Sequence, residues 1–212
     1  MSNRLRILYL HGFASSPRSA KAKFFKDMLS KEGLSLEIPA LDGCDFEHLT
    51  ITGQLHIIQT VAANDQVVLI GSSLGGYLAA LHAARNPQVL RLILLAPAFC
   101  FHNLWLSSVG PERLGIWKAT GMAPIFHYGE RREVPLSYQL IEDAAGYEPW
   151  PDFRQRALIF HGNRDTSVPV EYSAEFVRHH PNACLFRMDS GHELADVLDA
   201  IWAQARNFIV SG

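Results

Sequence analysis

The chain has 212 residues, 48% of them hydrophobic and 19% charged, enough to bury one substantial core with no surplus for a second full domain. Its formal net charge of −2, with Lys and Arg scattered along the length, offers no basic field for a phosphate backbone or an anionic bilayer, so nucleic acid is not an expected partner. No stretch approaches the roughly 18 apolar residues of a membrane span. Met1-Ser2-Asn3-Arg4 runs straight into 5–10, too short for a signal core and without a small-residue cleavage site, so a cytoplasmic location is expected. Cys44, Cys100 and Cys184 are odd in number and widely spaced, which predicts free thiols rather than a disulfide framework or a zinc knuckle.

In chain order, the first signal is the apolar run at 6–10 (RILYL), which ends at His11-Gly12 and reads as a buried strand. Ser16-Pro17 offers a helix start, with serine as N-cap and proline at the first helical position, and Phe24, Phe25, Met28 and Leu29 follow as an inward stripe. A weaker strand at 34–38 (LSLEI) precedes a helical pattern at 48–62, where Leu55, Ile58 and Ala62 recur at helical spacing. The run 67–70 (VVLI) ends at Gly71, and the Ala- and Leu-rich segment 73–85 behind it is helical until Asn86-Pro87. Further strands are predicted at 90–95 (LRLILL), 157–160 (ALIF) and 183–188 (ACLFRM). A helix begins near Val170, and the last segment sets Leu194, Val197, Leu198, Ile201, Ala205, Phe208 and Ile209 on one face. Six strands alternating with helices predict an α/β fold, a mostly parallel sheet covered on both faces, within a single domain over 1–212.

One stretch breaks the alternation. About fifty residues at 97–151 separate consecutive strands, more than a crossover helix needs, and they are dense in large side chains such as Phe101, Trp105, Trp117, Phe126 and Tyr138. This predicts an inserted helical cap, most of whose aromatic residues pack it onto the domain. Glu130-Arg131-Arg132-Glu133 reads as a solvated turn, one whose arginines are also suited to an acidic group of a substrate.

The chemistry-bearing pattern lies at the second buried strand. A serine hydroxyl is a poor nucleophile and needs a base, a group that orients the base, and donors facing the developing oxyanion. Gly71-Ser72-Ser73-Leu74-Gly75 stands where strand passes to helix, and its glycines permit the sharp turn that holds Ser73 clear of the sheet edge. No lysine follows to make a phosphate-binding loop, and the spacing is not that of a dinucleotide fingerprint. Ser72 is the rival nucleophile, but centring the motif on it would require glycine in place of Ile70 and Leu74. The backbone N–H of Leu74 is one expected oxyanion donor, and Phe13, after His11-Gly12 at the first strand's end, is placed to give the second. His11 itself is expected to brace that loop rather than to take a proton.

Strand, Gly-x-Ser-x-Gly elbow, helix, then an acid and a histidine in the order Ser, Asp, His resemble the α/β-hydrolase superfamily. Tyr9-Leu10-His11-Gly12-Phe13-Ala14-Ser15-Ser16-Pro17 and Gly71-Ser72-Ser73-Leu74-Gly75-Gly76-Tyr77 are similar to the small bacterial YqiA-type esterases, a likeness covering the core from Arg6 onward. The chain opens directly on the His-Gly strand and so resembles a trimmed form of the fold lacking the first strands. In the inserted segment, Leu136-Ser137-Tyr138 and Asp143-Ala144 faintly resemble related acyl-thioester hydrolases.

The resemblance implies that Asp165, within His161-Gly162-Asn163-Arg164-Asp165-Thr166-Ser167-Val168-Pro169, is the triad carboxylate. From the residues alone, the lesser alternative for Asp165 is to cap the helix near Val170. Asp189 is the competing acid, only three residues before His192 and more suited to bracing a loop. Of the ten histidines, His192 stands out: Ser190-Gly191-His192-Glu193 follows the last strand at the same carboxyl edge as Ser73 and Asp165. His179-His180 reads as a solvated helix end rather than a metal site, since adjacent helical residues diverge. The implied activity is hydrolysis of a small-molecule carboxylic ester or thioester through an acyl-Ser73 intermediate, with no metal or organic cofactor. Two alternatives use the same residues: a small peptidase or amidase, and a ligand-binding protein that keeps the shell without turnover.

Overall fold

The continuous apolar runs form strands because both of their faces are covered. The computed structural model describes residues 5–210, and its first half runs β1 (Arg6–Leu10), α1 (Ala20–Lys31), β2 (Leu36–Glu37), α2 (Ile51–Ala62), β3 (Val67–Ser72), α3 (Leu74–Arg85) and β4 (Val89–Leu95). There follow α4 (Phe101–Val109), α5 (Pro111–Thr120), β5 (Met122–His127), β6 (Arg132–Ser137) and α6 (Gln139–Ala144), and then β7 (Arg156–Gly162), α7 (Val170–His179), β8 (Ala183–Met188) and α8 (Leu198–Val210). Six strands make one sheet in the order β2-β1-β3-β4-β7-β8, every neighbouring pair parallel. This is the sheet expected from the sequence.

Side chains alternate between two cores, as the two-residue period of a strand requires. Leu8, Leu10, Leu69, Leu92, Leu94 and Ile159 pack with Ile58 of α2, Leu78 of α3 and Phe176 of α7. Ile7, Tyr9, Val68, Ile70, Ile93, Leu95 and Phe160 point the other way, onto Phe25 and Leu29 of α1 and Ile201, Trp202 and Ile209 of α8. The order reverses between β1 and β3, because the chain first steps outward to β2 and then crosses back. A crevice at the carboxyl ends of the strands is the geometric result of such a reversal.

Three local expectations need correction. The first helix begins at Ala20 with Ser19 as its cap, accepting from the Ala22 N–H at 3.3 Å, and not at Ser16-Pro17. Ser16 instead closes a turn, its carbonyl taking the Ser19 N–H at 3.1 Å and its hydroxyl the Arg18 N–H at 3.3 Å. The second helix starts at Ile51 behind Thr50, since Asp45 holds the backbone N–H of His48 in a preceding turn. The strand predicted at 34–38 is only two residues long and lies at the sheet edge.

The segment between β4 and β7, expected to be a helical cap, contains an antiparallel hairpin of β5 and β6 as well as its helices. Its alternation of more and less buried residues, with Val134 and Leu136 inward, is a strand pattern that the abundance of aromatic residues obscures. Pro124 and Pro135 face each other across it, tolerable in a two-stranded ribbon where each strand is an edge. The segment is fastened to the helices beneath: Arg85 pairs with Glu148 at 2.7 Å, the Tyr77 hydroxyl donates to the Glu148 carbonyl at 2.8 Å, and the Thr52 hydroxyl donates to Asp143 at 2.5 Å.

The core on the α1 and α8 side depends on Phe25, which is fully buried between Tyr9 and Trp202, with ring centroids at 6.0 and 6.3 Å. Phe25→Ala is expected to lower unfolding stability by about 3–5 kcal/mol, read from urea denaturation with the slope unchanged.

Candidate active site

The elbow after β3 is built from close backbone contacts. A Cβ on Gly75 would lie 2.1 Å from the Leu10 carbonyl oxygen, and one on Gly71 would lie 2.4 Å from the Gly75 carbonyl oxygen, so neither position accepts a side chain. Ser73 sits between them at φ 53° and ψ −118°, a strained conformation for a non-glycine residue. Its N–H is taken by the Leu95 carbonyl at 2.9 Å, and its own carbonyl accepts from Gly76 and Ala98 at 2.9 and 3.0 Å. The backbone is thus held on both sides while the side chain faces outward. Ser72, the rival, is the last residue of β3 and is buried.

His192 reaches Ser73 from the loop after β8. Its Nε2 lies 3.0 Å from Ser73 Oγ and its Nδ1 lies 2.7 Å from Asp165 Oδ2. Since a carboxylate only accepts, Nδ1 carries the proton and Nε2 offers its lone pair to the serine hydroxyl. The Asp165 side chain is fully buried. Its Oδ1 accepts the N–H groups of Ser167 and Val168, both at 2.9 Å, while its Oδ2 faces His192 and a second histidine, His161, at 3.1 Å. Burial pushes the Asp165 carboxyl up, but the donors from His161, His192 and Val168 outweigh it and hold the group well below the usual carboxylate range.

The structure therefore brings together Ser73, Asp165 and His192, three residues far apart in sequence. Asp165 does not cap α7, whose N-cap is Pro169. Asp189 stays outside the chain of hydrogen bonds: it is exposed and pairs with Arg164, whose Nη2 also donates to the Asp189 carbonyl at 2.9 Å. That contact braces the loops after β7 and β8 against each other.

Two supports escaped the sequence reading. His161 is wholly buried, and its Nε2 also faces the Val168 carbonyl at 2.8 Å, so this nitrogen is the donor and Nδ1 accepts from the Ser173 hydroxyl at 2.7 Å. Its only signal was its place four residues before Asp165, which does not distinguish a donor to that aspartate from a core residue. Lys21 of α1 donates to both the carbonyl and the carboxylate of Glu193, each at 2.9 Å, anchoring the residue next to His192. No local pattern links positions 172 residues apart.

The expected oxyanion donors, Leu74 and Phe13, line the same cavity as Ser73 and His192. Leu74 is the first residue of α3, so its N–H has no carbonyl one turn back to bind. Gly12 packs against the elbow, where a Cβ would be 3.4 Å from that of Ser73. His11 accepts from the Leu41 N–H at 3.3 Å through Nε2, so its Nδ1–H donates to the Gly12 carbonyl at 3.0 Å. A trans peptide sets N–H opposite to C=O, and the Phe13 N–H is thereby turned away from His11. Burial holds the His11 imidazole below its ordinary pKa, consistent with a neutral brace.

The cavity measures about 1030 Å³. Phe101, Leu104 and Trp105 of α4 line it, and Tyr128 and Arg131 of the hairpin turn stand on its wall. Trp117 and Phe126 take no part: Trp117 is buried with its indole N–H on the Leu136 carbonyl at 2.9 Å, and Phe126 is half exposed. His179 is an exposed helix end paired with Glu175, but His180 is not solvated, its ring stacking on Phe176 with centroids 3.8 Å apart. No group of three His, Cys, Asp or Glu able to hold a metal ion occurs among the described residues. All three cysteines are free thiols, and no described helix is long and apolar enough to cross a membrane.

A parallel sheet of this order with a serine elbow at its carboxyl edge defines an α/β-hydrolase fold, and solved structures bear this out. The chain superimposes on a protein from Agrobacterium vitis S4 with a TM-score of 0.82 at 21% identity, covering 99% of this chain and 89% of that one. Alpha/beta hydrolase domain-containing protein 10 from mouse gives 0.80 at 17% identity over 96% and 88%, and Est1E from Butyrivibrio proteoclasticus gives 0.77 at 20% identity over 97% and 86%. Residues 6–209 match the model of the Uncharacterised protein family (UPF0227), and the chain belongs to that family.

The depressed Asp165 carboxyl has a consequence for stability that is independent of activity. A carboxyl held below its unfolded-state value stabilises the fold above that value, about 4, and loses the contribution as pH falls through the folded value. Asp165→Asn is accordingly expected to be markedly less stable than the parent at pH 7, with the gap narrowing below about pH 4. Urea denaturation of both proteins at pH 7 and pH 3 measures it; an equal gap at the two pH values would assign the loss to packing alone.

Proposed function

We propose that the protein is a serine hydrolase that cleaves a small-molecule carboxylic ester or thioester, with 97–151 acting as a cap over the site of a single-domain enzyme in the cytoplasm. The observation that carries this reading is the unbroken hydrogen-bond chain from Ser73 Oγ through His192 to the buried Asp165, opening on a cavity large enough for a substrate. A ligand-binding shell has no need of a strained serine aimed at an imidazole lone pair.

In the first half of the reaction, Ser73 Oγ attacks the acyl carbon while His192 Nε2 takes the hydroxyl proton. Negative charge gathers on the former carbonyl oxygen, where the N–H groups of Leu74 and Phe13 serve as donors. The imidazolium then gives its proton to the leaving oxygen or sulfur as the C–O or C–S bond breaks, and an acyl-Ser73 ester remains. In the second half His192 accepts a proton from water, which attacks the acyl carbon; the Ser73–acyl bond breaks, the proton returns to Ser73 Oγ, and the free acid departs. Asp165 keeps its charge throughout, stabilising the imidazolium and fixing the tautomer, and His161 holds its second face.

A fluorophosphonate probe is expected to label wild type on Ser73, found by mass spectrometry of the digest, and to leave folded Ser73→Ala unlabelled. On p-nitrophenyl esters and acyl-thioesters, Ser73→Ala is expected to lose activity by a factor on the order of 10⁵ or more. No adduct on folded wild-type protein, or substantial turnover by Ser73→Ala, would overturn the assignment.

The two acids are separated by substitution. Asp165→Asn is expected to reduce kcat by about 10⁴-fold, because an asparagine favours the wrong imidazole tautomer, whereas Asp189→Asn is expected to stay within about tenfold of wild type. The reverse ranking in steady-state kinetics would exchange their roles.

A further inference from the structure

The wall of the cavity around Ser73 has a charge that the proposed reaction does not use. Its charged lining residues, apart from His192, are Arg18, Lys21, Arg131 and Glu193. Lys21 and Glu193 neutralise each other at 2.9 Å, which leaves the two arginines. Neither Arg18 nor Arg131 has a carboxylate in ion-pair range among the described residues; in the turn 130–133 it is Arg132 that pairs with Glu130, at 2.5 Å. A chain of net charge −2 thus concentrates unpaired positive charge where its substrate would enter.

The two arginines come from segments 113 residues apart that are locked together, so their presence on the wall of one cavity is built into the fold. The Tyr128 N–H donates to the Ala14 carbonyl at 2.8 Å. Gly129 lies so close to Ser16 that a Cβ would be 2.9 Å from that of the serine. Behind it the buried His127 accepts the Glu130 N–H on Nδ1 at 3.1 Å, and its carbonyl takes the Arg131 N–H at 2.7 Å, which sets Arg131 at φ 57°. On the facing segment the Ser16 hydroxyl holds the Arg18 N–H. The lining of this cavity is also rich in hydroxyls, Ser15, Ser16 and Ser19 among them, and the Tyr9 phenol is buried near Ser19 and Ser72 without a well-formed hydrogen bond. Guanidinium groups with hydroxyls beside them match an oxyacid group, a carboxylate or a phosphate, which accepts several hydrogen bonds at once.

We propose that the substrate carries an anionic oxyacid group and that Arg18 and Arg131 receive it while its acyl carbon lies at Ser73. The inference rests on the hydrolase reading and narrows its substrate class. It makes the two arginines specificity determinants, with no part in the bond-breaking steps.

Two matched pairs of esters test it. Mono-p-nitrophenyl adipate against p-nitrophenyl hexanoate puts the charge on the acyl side; 4-acetoxyphenyl phosphate against phenyl acetate puts it on the leaving group. For at least one pair, the ratio of kcat/KM for the anionic over the neutral ester is expected to exceed unity by about tenfold in wild type at low salt and to collapse in the Arg18→Ala/Arg131→Ala double variant. Arg18→Lys with Arg131→Lys is expected to keep part of the ratio, since the charge remains. A carboxylate-only or a phosphate-only preference supports the proposal and assigns the side. A ratio at or below unity in both pairs, or one unchanged by the double alanine substitution, overturns it. If no ester is turned over and Ser73 takes no probe, the hydrolase reading has failed. Titration calorimetry of the same four compounds on Ser73→Ala then decides the anion site separately: tighter binding of an anionic member that depends on the arginines sustains it, and equal binding overturns it.

Discussion

A buried carboxylate is tolerable only when its lone pairs are filled, and the site is organised around that requirement at Asp165. Its side chain is out of solvent, where an unpaired charge would cost several kcal/mol. Four donors converge on it: two backbone N–H groups from its own loop, His192 from the loop after β8, and His161 from the end of β7. Each donor is itself held in place. His161 is fixed by Ser173 of α7 and the Val168 carbonyl, while Lys21 of α1 anchors the residue following His192. One charge thus ties helices from both faces of the sheet to the same few ångströms.

The sheet makes such convergence possible. Because all six strands run parallel, every loop that follows a strand emerges at one edge, and those after β1, β3, β7 and β8 bring Phe13, Ser73, Asp165 and His192 there. Close packing at Gly71 and Gly75 then forces the strained turn that lifts Ser73 out of β3. The strain is confined by backbone hydrogen bonds on both sides of the serine, so the geometry is over-determined by the fold itself.

The segment between β4 and β7 supplies what the sheet cannot. Its helix α4 lends Phe101, Leu104 and Trp105 to an apolar part of the cavity, while the hairpin turn brings Arg131 to the wall that Arg18 also lines. The cavity thus has an apolar stretch and a basic one. Contacts from Asp143 and Glu148 to α2 and α3 hold the segment down at its far side, so its cavity-facing parts are positioned by the same core that positions the elbow.

The strands, the elbow and the candidate nucleophile were legible in the sequence because each is local. Continuous apolar runs report strands covered on both faces, and Gly-x-Ser-x-Gly reports a turn whose geometry depends on adjacent residues. The choice of Asp165 over Asp189 rested on likeness to a superfamily and on Asp189 lying only three residues before His192, neither of which fixes the direction a carboxylate faces. Only the tertiary structure sets that: Asp189 points to solvent and Arg164, and Asp165 points inward. The hairpin inside the expected helical cap was hidden because aromatic density does not reveal a period. The roles of His161 and Lys21, and the placing of Arg18 on the same cavity wall as Arg131, were beyond the sequence for a deeper reason: such neighbours are chosen by packing between segments up to 172 residues apart, and no pattern along the chain encodes that distance.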